Sequence, residues 1–129
     1  MPTCPAISAP RCFATSVRAE LEFGPSNLGL PPEEIKARVT EATEFFELAP
    51  LLERHPYRLA FPLRKLVSMA SVYAMGPAVF VLDEPTTGQD HEGANLVRKL
   101  VGRLREQGTR LGRRRVFEAE LVAQRRFDL

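Results

Sequence analysis

An apolar run ending in two carboxylates, Ala78-Val79-Phe80-Val81-Leu82-Asp83-Glu84-Pro85, is the part of this chain best equipped for chemistry. Continuous apolar residues with β-branching predict a strand buried on both faces, so Asp83 and Glu84 stand where such a strand emerges. A carboxylate at that point can hold Mg²⁺, commonly through water, and Mg²⁺ bridges phosphate oxygens in phosphoryl transfer. The next carboxylate can polarise an attacking water as a general base. Adjacent strand residues point to opposite sides, so the turn beginning at Pro85 must re-aim Glu84. An acidic pair that merely ends a strand and faces solvent is the plainer alternative, and for Asp-Glu alone it is the commoner one. The continuation Pro85-Thr86-Thr87-Gly88-Gln89-Asp90 makes the pattern far more specific.

The elements that must position this pair are legible in outline. Residues 1–12 contain Pro2, Pro5 and Pro10 without an apolar period and read as irregular chain. Phe13 to Phe23 holds a short helical turn with Val17, Leu21 and Phe13 on one side, and the stretch from Phe23 to Pro32 is rich in turn residues. Pro31 and Pro32, followed by Glu33 and Glu34, open a helix whose stripe is Ile35, Val39, Ala42 and Phe46, with Ala49-Pro50 closing it. From about Leu63, the residues Leu66, Val67, Ala70, Tyr73 and Ala74 predict a second helix with one buried face, ended by Gly76-Pro77. A third runs from Asp90 to Gln107 on Leu96, Val97, Leu100, Val101 and Leu104, with Gly108 at its C-cap. A parallel strand needs neighbours, and Thr109 onward is where the next one belongs. Gly112 and the arginines Arg113, Arg114 and Arg115 spoil that pattern.

Composition narrows the class. The chain has 129 residues, 44% of them apolar and 26% charged, which suits one soluble globular domain. A net charge of +2 does not indicate a nucleic-acid binder, although Arg110, Arg113, Arg114, Arg115, Arg125 and Arg126 crowd the end. Cys4 and Cys12 form neither a C-x-x-C pair nor a Cys/His cluster, so free thiols in a reducing compartment are expected. No apolar run reaches the length of a membrane span, and the N-terminus lacks the pattern of a signal peptide.

The chemistry-bearing residues resemble the nucleotide-binding subunits of ABC transporters. Leu82-Asp83-Glu84-Pro85-Thr86-Thr87-Gly88-Gln89-Asp90 follows their Walker B and D-loop pattern. Upstream, Phe13 to Pro25 and Asn27-Leu28-Gly29-Leu30-Pro31 look like the helical-subdomain entry of energy-coupling factor (ECF) ATPases, which power bacterial uptake of vitamins, cobalt or nickel. The resemblance implies an α/β fold: part of a P-loop NTPase-like ABC nucleotide-binding domain, mostly the helical subdomain plus the Walker B strand and following helix. It covers roughly residues 11 to 108, with the partial ATPase domain at 13–108 between an irregular 1–12 and an Arg-rich tail 109–129 of uncertain origin. ATP and Mg²⁺ are the implied cofactors, with Asp83 as metal ligand, Glu84 as catalytic base and Asp90 as the D-loop aspartate. The implied partners are an ECF transmembrane subunit and a second ATPase subunit. The implied location is the cytoplasm, peripheral to the inner face of the membrane, reached only through partners.

Departures from the family pattern matter as much as the matches. No G-x-x-x-x-G-K-[ST] phosphate loop occurs in these residues; in the family it would precede residue 1. Arg11 falls where the Q-loop glutamine would be, and Arg113-Arg114-Arg115 falls in the region of the switch histidine. His91 and His55 read as solvated loop residues. Leu59-Ala60-Phe61-Pro62-Leu63 occupies the place of the signature motif, which offers a serine hydroxyl and backbone N–H groups at a helix N-terminus to ATP on the opposite subunit. Ala60 has no hydroxyl and Pro62 no N–H, so this nucleotide-contacting stretch is expected to bind phosphate poorly. Three readings follow: an ECF-type ATPase component impaired in catalysis as it stands, a non-catalytic module docking on the membrane subunit, and, remotely, nucleic-acid binding through the tail. A shifted reading frame or an unrelated end is a simpler account of residues 109–129 than a nucleic-acid arm.

Overall fold

The computed structural model describes residue 12 and residues 14–114; the readings placed on residues 1–11, on Phe13 and on residues 115–129 lie outside the described residues. The chain divides after Pro77 into two compact units.

The first unit is helical. Helix α1 (Val17–Asn27) starts at Ser16, whose hydroxyl accepts from the Ala19 N–H at 3.1 Å. Its next unpaired donors are met by chain that comes later: Val17 N–H and Arg18 N–H donate to the carbonyls of Arg54 and Leu52, each at 2.9 Å. The expected stop at Gly24-Pro25 does not occur, and α1 runs through Pro25 to Asn27. Proline costs the helix a backbone bond, but both residues are buried. Gly24 also permits close approach, since a Cβ there would collide with the Met75 side chain. Burial and contact outweigh the local turn preference.

Helix α2 (Pro32–Phe45) has the expected proline start and buries Val39 and Ala42. It ends earlier than Ala49-Pro50: Glu47 takes a left-handed φ of 55°, and Leu48 N–H donates to the Thr43 carbonyl at 2.9 Å. Leu48 and Phe46 are then fully buried, which explains why a glutamate accepts that conformation. Short 3₁₀ turns at Ala49–Leu51 and Pro56–Arg58 lead into α3 (Phe61–Met75). The sequence predicts one buried face for α3; the structure also buries Lys65, Ser68 and Met69, because α1 and α2 both pack on it. Phe45 stacks on Tyr73 with centroids 5.5 Å apart, and the Tyr73 hydroxyl bonds the Glu41 carboxylate at 2.8 Å. Arg38, ion-paired with Glu34, donates to the Met75 carbonyl at 2.8 Å and closes the end of α3, where Gly76 turns with φ 64°.

The second unit is β1 (Val79–Asp83), α4 (His91–Glu106) and β2 (Arg110–Arg114). The strands pair in parallel, with Val79 opposite Arg110, Phe80 opposite Leu111 and Asp83 opposite Arg114. Two sequence expectations are corrected here. Residues 110–114 form a strand despite Gly112 and the arginines, because a parallel ladder is made by backbone groups and tertiary pairing overrides side-chain propensity. The turn into it is well made: Gly108 adopts φ 73°, Gly108 N–H bonds Arg105, Thr109 N–H bonds Leu104, and Arg110 N–H reaches the Ala78 carbonyl. The second correction concerns β1, which is not buried on both faces. Phe80 and Leu82 are buried, while Val79 is 37% exposed and Val81 half-buried. One helix, whose buried residues include Leu96, Val97, Leu100 and Leu104, can cover only one face of a two-stranded sheet.

Candidate nucleotide site at the end of β1

Asp83 is the last residue of β1 and is half-buried. Glu84 follows at φ 45°, a left-handed conformation uncommon for a residue with a Cβ and typically costing about 1–3 kcal/mol. The required re-aiming therefore happens at Glu84 itself, one residue before the turn expected to do it. Buried Pro85 follows, the Glu84 carbonyl accepts from Thr87 N–H at 3.1 Å, and the Thr86 carbonyl accepts from Gln89 N–H at 3.1 Å. Gly88, at φ 79°, supplies the second left-handed residue of this turn.

Asp90 then caps α4: its Oδ1 accepts from Gly93 N–H at 2.7 Å. Gly93 has a reason that sequence reading missed. A Cβ there would run into the Gln89 side chain, which lies over the first turn of α4. The only sequence signal was a glycine inside an otherwise good helix. His91 is not a loop residue; it opens α4, exposed, with Nε2 3.3 Å from Asn95 Nδ2.

Asp83, Glu84 and Asp90 are thus held by one strand–turn–helix. Leu59, Ala60, Phe61 and Pro62 belong to the other unit. Leu59 is buried, Ala60 is the N-cap of α3 without a side-chain hydrogen bond, Phe61 is 44% exposed, and Pro62 lies in the first turn. The contrast with Asp90 is chemical: one helix start is capped by a side-chain oxygen and the other has no side-chain cap. Beside it, His55 Nδ1 accepts from Tyr57 N–H at 3.2 Å, and the Arg64 guanidinium lies 5.7 Å from the exposed Tyr57 ring. That aromatic corner was not read from the sequence, where Tyr57 and Arg64 stand seven positions apart without a period.

A magnesium ion would find one strand-end carboxylate in Asp83. No group of three or more His, Cys, Asp or Glu side chains among the described residues could hold a metal unaided. Mg²⁺ usually takes one or two carboxylates and fills its remaining positions with water and substrate phosphate, so Asp83 suits it only when a nucleotide is present.

No protein-family model matches the chain. It is 42% identical over 96 residues to the energy-coupling factor transporter ATP-binding protein EcfA of Methanocaldococcus jannaschii, a match covering 74% of this chain and 34% of that one. A putative ABC transporter ATP-binding protein of Methanosarcina mazei is 46% identical over 100 residues, covering 77% of this chain and 31% of its own. Among solved structures, CbiO1 of Clostridium perfringens, part of the ABC transporter complex CbiONQ, superposes with a TM-score of 0.71 at 33% identity, over 84% of this chain and 45% of that one. Matching relatives are archaeal as well as bacterial, so the expectation of a bacterial family is not supported. The chain spans about a third of the length of the curated relatives it matches. Over that third it belongs to the ATP-binding subunits of ABC transporters, of the energy-coupling factor type.

Proposed function

We propose that the chain is an ATP-binding component of an ECF-type transporter, energising uptake of a vitamin or transition metal, and that these residues by themselves turn ATP over poorly. The observation carrying the reading is the strand end: Asp83 closes β1, left-handed Glu84 redirects the chain, and Asp90 caps α4. In that reading Asp83 is the magnesium ligand, Glu84 the general base and Asp90 the D-loop aspartate. Bound Mg²⁺ would neutralise phosphate charge, while Glu84 would orient and deprotonate the attacking water.

The expected weakness has two supports. These 129 residues contain no G-x-x-x-x-G-K-[ST], and most protein catalysis of phosphoryl transfer is positioning of the phosphates. At Ala60-Phe61-Pro62 the helix start lacks both a hydroxyl and one N–H. Calorimetric titration of the chain with Mg-ATP is expected to show no binding tighter than millimolar; sub-millimolar binding overturns this part of the reading.

A second reading, a docking module without catalysis, is favoured by the first unit. The helices described there pack on one another, and α1 and α2 border an open groove of about 440 Å³ lined by Arg18, Glu22, Ile35, Lys36 and Val39. Such a unit would hold the chain at the cytoplasmic face of the membrane through an ECF transmembrane subunit, beside a second ATPase subunit. No helix among the described residues is long and apolar enough to cross a membrane. Co-purification with an ECF transmembrane subunit, abolished by Ile35→Arg, supports docking; unchanged recovery of the variant counts against this groove.

A further inference from the structure

The turn before α3 carries aromatic and cationic side chains that the strand end does not use. Fully buried Pro56 anchors this turn, which is closed by Arg58 N–H on the His55 carbonyl at 2.9 Å and Leu59 N–H on the Pro56 carbonyl at 3.1 Å. Tyr57, between them, stays 58% exposed even with the His55 ring centroid 5.8 Å and the Arg64 guanidinium 5.7 Å from its own. Phe61, also exposed, stands three positions before Arg64 on α3, so the two are neighbours on one helix face. Because His55 Nδ1 accepts from Tyr57 N–H, the neutral imidazole of this exposed residue carries its proton on Nε2.

Charge here is one-sided. Residues 54–82 contain no Asp or Glu, yet they include Arg54, Arg58, Arg64 and Lys65. Arg64 makes no ion pair among the described residues, and its Nε is buried without a hydrogen-bond partner. An anion beside the guanidinium would offset a charge that no described carboxylate neutralises. An exposed ring fixed by a rigid turn suits a planar ligand, since stacking uses the face of any nucleobase, and a neighbouring cation strengthens it.

We propose that this corner is a weak, metal-independent site for a nucleoside monophosphate, with the base stacked on Tyr57 and the phosphate on Arg64. Phe61 and the His55 Nε2–H border the ligand. All four residues belong to the helical unit, so the site stands or falls independently of the magnesium-ligand reading of Asp83.

Saturation-transfer difference NMR on the full chain in EDTA, with AMP as the probe, tests this. AMP is expected to bind with a dissociation constant on the order of a few millimolar, with the strongest transfer to its base protons. Adenosine and ribose 5-phosphate, each lacking one half of the recognised pair, should bind about tenfold more weakly. Tyr57→Leu should weaken AMP about tenfold, while Tyr57→Phe, which keeps the ring, should track the wild type. Arg64→Gln gives a second reading: AMP should fall to the level of adenosine, and adenosine should not change. Asp83→Asn should leave AMP binding as it is. No transfer to AMP, a ribose 5-phosphate that binds as well as AMP, or a Tyr57→Leu chain that binds as the wild type does overturns the proposal. Equal binding of AMP by wild type and Arg64→Gln overturns it as well, and loss of binding in Asp83→Asn overturns it by moving the ligand to the strand end.

Discussion

The starts of α3 and α4 present the same structural problem and resolve it differently. Each must satisfy or expose the first backbone donors of a helix. At α4, Asp90 accepts from Gly93 N–H, and Gln89 lies over the turn. At α3, Ala60 offers no acceptor and Pro62 has removed a donor. The same asymmetry runs through the two units. The helical unit is held by side-chain packing around Phe46, Met69 and Tyr73, whereas the strand unit carries the acidic pair and a partly exposed β1. Packing tolerates an uncapped helix start when eight residues of α3 are buried behind it. The lesson is that helix formation and phosphate binding draw on the same terminus but have separable requirements.

The comparison breaks most severely at the core. Phe46→Ala removes a fully buried ring and is expected to cost the helical unit about 4 kcal/mol, read as a fall in the urea midpoint. Exchanging the caps is milder. Asp90→Ala is expected to destabilise α4 by about 1 kcal/mol, and Ala60→Ser to stabilise α3 by about the same amount, both by thermal melting. If Ala60→Ser leaves the melting point unchanged, the start of α3 is not limited by its missing acceptor. Pairing Ala60→Ser with Pro62→Gly sharpens the functional side, since it restores the hydroxyl and the N–H together; Mg-ATP binding by the chain should still stay weaker than millimolar, because the phosphate loop is not among its residues.

Backbone strain gives a smaller effect. Glu47→Gly and Glu84→Gly each relieve a left-handed residue and should raise stability by at most about 1 kcal/mol. A gain at Glu47 without one at Glu84 would show that the site turn is held by side-chain contacts of Glu84 as well as by its backbone.

The smallest effect concerns pH. Burial pushes the Cys12 thiol above its ordinary value of 9.0, against a lowering by the Ser68 contact 3.8 Å away. The folded state thus holds that proton more tightly than the unfolded chain. The resulting stability is complete below pH 9.0 and is lost as pH rises through the folded value. Cys12→Ala should flatten the alkaline end of the stability profile, read by chemical unfolding at pH 8 and pH 10.

Much of the molecule was determined locally. The proline start of α2, the stripe of α4, the apolar run of β1 and the order Asp83-Glu84-Pro85 to Asp90 are patterns of neighbours, and neighbours in sequence are sufficient to specify helix faces, caps and turns. The chemical weakness of Ala60 and Pro62 was legible for the same reason, because a missing hydroxyl or N–H is a property of the residue type. Other features were decided only by distant chain. Met75 lets α1 continue through Gly24-Pro25, since burial against it outweighs the proline's lost bond. Leu48 and Phe46 hold Glu47 left-handed. The ladder with β1 makes a strand of Arg110–Arg114, which no side-chain pattern favours. Sequence thus determined which carboxylates stand at the end of β1; tertiary structure decided that residues 110–114 pair with that strand and in which register, because pairing positions are fixed by backbone hydrogen bonds between segments that lie far apart in the chain.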